Sequence, residues 1–581
     1  MTRRHGRLGA GVGLLAGLVI LGPALAPGYV WLYDMVFVPH LALSDHTLGI
    51  DGTVPRAVPT DAVVAVLTTV LPGSLVQKLL LLGIFVVAGA GAARFCGSRL
   101  GAATAALAMC WNPFVAERLV IGHWAFLIGF ATLPWIFAAV ADWRRGDDRG
   151  VRPLLPWLVV AAVAGSTAAV VATLVALVAL LVPPGPWDLR TRVRNAAGVL
   201  ALMLLLSACW IIPSLRLPGG VPADPNGVGA FAAHADSPLG LWPSLLTLGG
   251  IWHEPSWPDS RTGGPVGVAF ALVVLVVVVV AASRWGILRA VAPLAVAGLL
   301  GLAIAGMTSL PGGDAVARTI VTGVPGGGIV RDSQKFVMVL VVLVAVLAGL
   351  VVDRLASVAS VASRGGVVRW VAMVSSIGLL LAPVAALPDA AWGVADRLRA
   401  DPVPAEVTAT RDFFATAPDG AVAVFPWTLY RRVTSGHGQV ALDPWNRLLE
   451  RRVLVNDDLP LSDRTIAGED PLAREVGEAI GAGGPALADV ARTRGIRWAV
   501  LLGDQTDAAA SRRLLLAAGF TRVSAHGDIE VYDSGVAAVA RTPSTSVVPL
   551  VVSLLTALGC LAPALSRRAT SAVVPARRRT P

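Results

Sequence analysis

Charge is scarce in this chain of 581 residues. Asp, Glu, Lys and Arg together make up 14% of it, against about 25% in an ordinary soluble protein. Hydrophobic residues make up 55%, and the mean hydropathy is +0.71. This shortage excludes a water-soluble globule, which would expose large apolar patches. Lysine is almost missing: Lys78 and Lys335 stand alone, and the other basic residues are arginines. Cysteine is limited to Cys96, Cys110, Cys209 and Cys560, all in or beside apolar runs. That distribution excludes a disulfide framework and a cysteine metal site in the polar part of the chain. No Gly-rich phosphate loop, Ser-His-Asp order, metal box, filter-like stretch or internal repeat stands out. The net charge of +10 would suggest nucleic acid in a soluble protein. Here the basic residues mark membrane topology instead, and no nucleic-acid partner is expected.

What is present is a series of apolar runs. A bilayer core needs about 20 apolar residues in a helix. On that scale spans are expected near 8–27, 77–94, 100–116, 123–141, 153–165, 168–183, 196–213, 265–283, 286–306, 334–352, 369–387 and 546–564, about twelve in all. The first follows Arg3, Arg4 and Arg7 and resembles a signal peptide ending at Ala24-Leu25-Ala26, but the many later spans favour an uncleaved helix. The stretch 153–183 reads as two short helices around Gly165-Ser166-Thr167, or as one tilted, kinked helix. Arginines gather in alternate loops, which places both termini in the cytoplasm. Merging the uncertain pair would put Arg354, Arg364, Arg369 and the tail Arg577–Arg579 outside, so two spans are favoured there.

The resulting organisation is an all-α polytopic membrane domain at 1–388, with outer loops at 28–76, 214–264 and 307–333. A C-terminal extracytoplasmic α/β domain follows at 389–545, then a last span at 546–564 and a basic cytoplasmic tail at 565–581. In the outer domain, Ala421–Trp427 and Ile496–Leu502 read as buried strands. Pro485–Thr493 and Ser511–Ala518 read as helices, and Thr521–Asp533 as a hairpin turning at Gly527-Asp528. The polar stretches 443–452 (DPWNRLLERR) and 456–460 (NDDLP) form either a structural loop or a carbohydrate-binding face.

Unusual polar residues cluster at the outer ends of helices, where ionisable groups are costly and often functional. Asp34, in Tyr33-Asp34-Met35-Val36-Phe37, is either a general base or metal ligand, or a solvated loop aspartate. Asp45, His46, Asp51 and Asp61 in the same loop are weaker candidates. A second cluster runs from Asn112-Pro113-Phe114 through Glu117 and Arg118 to His123-Trp124; its charges form a site or a snorkelling pair. The third is Trp252-His253-Glu254 with Trp257, suited to sugar binding or to an interfacial aromatic belt. The fourth is Arg331-Asp332-Ser333-Gln334-Lys335 after Pro325-Gly326-Gly327-Gly328. Two cations at a helix N-terminus suit a lipid-linked phosphate, unless Asp332 caps the helix and neutralises Arg331.

Tyr33-Asp34, the stretch 112–124 and Arg331-Asp332-x-x-Lys335 together resemble the GT-C integral-membrane glycosyltransferases, over roughly 1–390. The sequence is most similar to actinobacterial members such as the cell-wall arabinofuranosyltransferases. The resemblance implies inverting transfer of a sugar from a polyprenyl-phosphate donor to an envelope glycan or glycolipid acceptor, at the outer face of the plasma membrane and among its lipids. It implies Asp34 as the base, Arg331, Lys335 and Arg118 on the donor phosphate, and Glu117, His123, Trp252, His253, Glu254 and Asp332 around the pocket. It leaves a divalent metal ion, Mg or Mn, open: His253 and Glu254 would line the pocket or bind one. Family members often carry a paired acidic motif in the first loop, whereas Asp34 follows a tyrosine. A transporter or flippase of lipid-linked sugar and a non-catalytic GT-C-like scaffold are the alternatives.

Overall fold

The computed structural model describes residues 5–183, 185–217, 224–324, 326–361, 366–433, 437–461, 464–539 and 546–571. Arg3, Arg4, Pro325, Arg364 and the Arg577–Arg579 tail lie outside the described residues.

Helices dominate up to residue 396. Twelve span-length helices are not reproduced. Among the described residues, five are long and apolar enough to cross a membrane: Gly6–Leu25, Gly73–Ala93, Trp124–Arg144, Ser333–Ser360 and Val367–Ala386. A sixth results if Leu189–Leu206 and Ala208–Arg216, bent by 69°, count as one. The shortfall has local causes. The expected 100–116 span breaks at Trp111-Asn112, and 153–183 divides at Gly165 into Leu155–Val163 and Ser166–Leu181. Gly165 has φ of 104°, a conformation open to glycine and awkward for other residues.

Close packing explains the glycine-rich first helix. Gly9 and Gly13 lie directly on Gly73–Ala93, and a Cβ at Gly89 would stand 2.6 Å from the Gly9 carbonyl oxygen. Small residues allow such approach between membrane helices. The run Val337–Leu347 is buried on every side, as expected of a helix that is apolar all round.

The C-terminal region is built on a five-stranded sheet. Its order is Val453–Leu454, Ala421–Phe425, Ile496–Leu502, Ile529–Asp533 and Thr521–His526. The first two pairings are parallel and the last two antiparallel. Alternation decides its faces. Ala421, Ala423 and Phe425 pack with Val476, Leu487 and Leu515 of the helices Pro471–Ala482, Gly484–Arg494 and Ala508–Ala517, whereas Val422 and Val424 join the main core.

The loop after the first helix is sewn to this region by backbone. Tyr29 and Asp401 exchange hydrogen bonds of 2.8 and 2.9 Å. Tyr33 N–H donates to the Val440 carbonyl at 2.7 Å, and its carbonyl accepts from Leu442 N–H at 2.9 Å. The hairpin of Tyr430–Arg432 and Val440–Leu442 is thereby extended by the loop that carries Asp34.

Candidate functional site

Two turns meet at Asp34. The Leu32–Met35 bridge closes a tight turn in which Tyr33 takes φ of 45°, a conformation costing a non-glycine residue about 1–3 kcal/mol. The hydrogen bonds to Val440 and Leu442 hold it there. The second turn follows the helix Pro113–Val120. Asn112 creates that helix: its amide donates to the Ala108 and Met109 carbonyls of the preceding helix while its oxygen accepts from Val115 N–H, capping the new one. Gly122, with φ of 88°, lets the chain pass so close to the first turn that a Cβ would lie 2.7 Å from the Leu32 carbonyl. Asp34 N–H donates to the Ile121 carbonyl at 3.2 Å.

Both oxygens of Asp34 accept from uncharged donors. The Tyr430 hydroxyl donates to Oδ1 at 3.0 Å, and His123 Nε2 lies 3.3 Å from Oδ2. The side chain remains 37% exposed. Arg118 settles the His123 tautomer: its Nη1 lies 2.9 Å from His123 Nδ1, and a guanidinium only donates. Nδ1 is therefore the acceptor and Nε2–H faces Asp34. Burial and the neighbouring Lys335 charge lower the His123 pKa, in keeping with a neutral ring. The recess around Asp34 works to raise its pKa, but the His123 and Tyr430 hydrogen bonds and the Lys335 charge outweigh this and hold the carboxyl below its usual range. Burial and Asp34 push the Tyr430 phenol up, so it keeps its proton.

Behind this carboxylate lies a buried polar chain. Arg118 is fully buried and grips Asp332 with two hydrogen bonds of 2.8 and 3.1 Å. It also donates to Gln334 Oε1. Lys335 Nζ lies 3.3 Å from Asp332 Oδ2, and 21% of the Lys335 side chain is exposed. The Gln334 amide nitrogen donates to the Gly249 carbonyl at 2.9 Å and reaches Glu117 at 3.4 Å. Glu117 faces Asp236, which accepts from Arg261 at 2.5 and 2.7 Å. Burial, reinforced by Asp236, raises the Glu117 pKa well above the usual range. A protonated Glu117 thus supplies a donor where two buried carboxylates would repel.

Asp34, His123, Arg118, Asp332 and Lys335 therefore come together. Glu117 lies one layer deeper. His253 stacks edge-on against Tyr33 with centroids 4.6 Å apart, and Trp252 and Phe231 continue that aromatic wall. Burial lowers the His253 pKa to about 4. Glu254 instead starts a 3-10 turn and is exposed. Arg331 does not join Lys335: its guanidinium covers the Phe231 ring at 4.5 Å and lies 3.7 Å from Glu469. Arg118, saturated by protein acceptors on both Nη atoms, positions its neighbours and has no free fork for a phosphate. Nor does a metal fit His253 and Glu254. His253 is bonded to Ser256 at 2.7 Å, and no group of three His, Cys, Asp or Glu suited to a metal occurs among the described residues.

Sequence reasoning missed Tyr430, Asp236, Arg261 and Glu469, and did not weigh Gln334. Tyrosine rarity was the available signal, since Tyr33 and Tyr430 are two of only four.

The comparisons with known proteins bear on the fold. No family model and no curated protein matches the sequence. Solved structures do. One cryo-EM structure of the arabinofuranosyltransferase AftD from Mycobacteria aligns with a TM-score of 0.53 at 16% identity, over 94% of this chain and 40% of that one. A mutant structure of the same protein gives 0.57 and 17%, over 93% and 42%. The fold is AftD-like. The likeness is one of fold, and it reaches beyond residues 1–390 into the C-terminal sheet region. The chain spans about two-fifths of the length of the AftD chains it matches.

Proposed function

We propose that this membrane protein is a glycosyltransferase that moves a sugar from a polyprenyl-phosphate donor to an envelope glycan or glycolipid on the outer face of the membrane. The observation that carries the reading is Asp34: a half-exposed carboxylate, fixed by two uncharged donors, in an aromatic recess beside a lysine. Its setting on an AftD-like fold supports the same reading. On this proposal 1–388 and 546–564 form the membrane part and 389–545 the outer part, with both termini in the cytoplasm.

The chemistry follows from lone pairs. Each carboxylate oxygen has two acceptor positions, and Tyr430 and His123 take one on each. The remaining positions can receive the proton of an acceptor hydroxyl as it attacks the anomeric carbon from the face opposite the phosphate. A carboxylate with a depressed pKa is a weak base. Weak basicity suffices where the sugar carbon carries oxocarbenium character and the hydroxyl becomes acidic late. Lys335 supplies positive charge for the departing phosphate at the bilayer edge, with Asp332 fixing its amine.

The test is transfer by purified protein supplied with labelled decaprenyl-phosphate sugars and an envelope glycan. Wild type is expected to transfer and a folded Asp34→Asn variant is not. Equal transfer by both would remove Asp34 from the mechanism, and no transfer by wild type with any donor would overturn the enzyme.

A further inference from the structure

A second polar space lies beside Asp34 and is not used by the proposed chemistry. It is a cavity of about 230 Å³ between the first outer loop and the outer sheet region. The loop supplies Asp51, Arg56 and Asp61; the polar stretch 443–457 supplies Asn446, Arg447 and Arg452. Leu442 also lines it, and Leu442 pairs across the hairpin with Tyr430. Cross-strand partners share a face of the sheet. The face that borders this cavity therefore also presents the Tyr430 hydroxyl to Asp34.

The lining selects a chemistry. Its arginines are already engaged in the wall: Arg447 with Asp61 at 3.3 Å, Arg452 with Asp470 at 2.9 Å, and Arg56 with Glu469 at 2.8 Å, while Arg451 donates to the Pro418 and Phe414 carbonyls. No arginine surplus is left to hold a phosphate, since Asp51 and Asp457 add further carboxylates. No cluster suited to a metal ion occurs among the described residues. Paired guanidinium and carboxylate groups do present donors and acceptors at fixed positions, which suits a neutral ligand rich in hydroxyls. Asn446 adds a polar atom turned from water with no use inside the protein: its Oδ1 is buried and has no hydrogen-bond partner. Such an atom costs about 1–3 kcal/mol. A ligand hydroxyl would satisfy it once the amide turns toward the cavity that Asn446 lines. The volume falls below the ~300–1,000 Å³ of a drug-sized pocket, so it suits a single ring rather than a chain.

We infer that this cavity is a saccharide subsite, holding one neutral sugar ring of the acceptor while the neighbouring ring offers its hydroxyl to Asp34. The placing of that second ring rests on the transferase reading; the binding of sugar does not.

The experiment uses the full chain in detergent with a panel of neutral oligosaccharides built on arabinofuranose, galactose, glucose and mannose. Binding is read by saturation-transfer NMR and tryptophan fluorescence. At least one sugar should bind wild type. Asn446→Leu should weaken it about fivefold or more, the equivalent of one hydrogen bond, while the thermal midpoint stays level or rises because an unbonded oxygen has gone. Val54→Phe, which fills the cavity from the loop, should weaken binding likewise and serves if Asn446→Leu folds poorly. Asp34→Asn should keep binding and lose transfer. In the transfer assay Asn446→Leu should raise the acceptor KM and leave kcat in place. Binding lost in Asn446→Leu, with no transfer by any form, would leave the subsite standing and sink the transferase. No sugar binding to wild type, equal binding by both cavity variants, or displacement of the sugar by inorganic phosphate would each overturn the subsite.

Discussion

Asp34 and Asp236 are both aspartates in loops between helices, and they are held by opposite means. Asp236 is fully enclosed, and both of its oxygens lie on the Arg261 guanidinium, itself buried and bonded to the Ser244 and Thr247 carbonyls. Asp34 is 37% exposed and meets only a phenol and a neutral imidazole, at longer distances. The first arrangement uses up the carboxylate; the second orients it and leaves lone pairs and access. Charge pairing therefore separates a carboxylate that holds the fold from one that can react, and sequence context marks only the second.

The largest expected effects set the two apart. Asp34→Asn should lower transfer by about 10²–10⁴-fold, the usual range for a lost general base, with little change in the thermal midpoint. Asp236→Ala should do the reverse. It leaves Arg261 buried without its partner, which costs about 3–5 kcal/mol, and should appear as a strongly lowered unfolding temperature in detergent, with transfer per folded molecule preserved. An Asp236→Ala protein as stable as wild type would dissolve the distinction.

A smaller effect tests the link between the two systems. Gln334 touches Arg118 on one side and Glu117 and the Gly249 carbonyl on the other. Gln334→Leu removes these bonds and leaves buried partners, at about 1–3 kcal/mol. If the chain positions His123 through Arg118, transfer should fall as well, and Gln334→Glu should restore only the Arg118 side. Transfer unchanged in Gln334→Leu would confine the buried chain to a structural role.

The same contrast explains what was legible in the sequence. Local pattern carried the outer strands: Ile496–Leu502 is recovered whole, and the hairpin at Gly527-Asp528 forms as its turn residues dictate. Hydropathy located apolar helices but not the break in the expected 100–116 span, because a capping Asn112 followed by Pro113 breaks an apolar run without lowering its hydropathy. For the site, Asp34, His123, Arg118, Asp332 and Lys335 were visible as polar residues where polarity is costly. Their partners were not. Tyr430 lies 396 positions from Asp34, and only the pairing of the first loop with a distant hairpin brings them together. Arg331 misled for the same reason: adjacency to Lys335 suggested a shared anion, whereas tertiary packing turned it to Phe231 and Glu469.

The smallest effect is a matter of pH. Asp34 is held below the usual carboxylate range, and burial brings His253 to about 4 and lowers His123. None of these groups then changes charge between about pH 7 and 8, since the unperturbed values are ~3.9 for Asp and ~6.5 for His and all three are lowered. Transfer should be level across that window and decline only in more acid solution, as Asp34 gains a proton. The sign for stability is the same. A carboxyl whose folded pKa is depressed stabilises the fold above its unfolded value, and that contribution fades as pH falls through the folded one. Tyr430→Phe removes one of the two donors and should move the acid limb upward, with a loss of about tenfold in transfer, the low end of the worth of a hydrogen bond to a charged group. A limb near pH 6.5 in the wild type would instead make a histidine, and not Asp34, the group that takes the decisive proton.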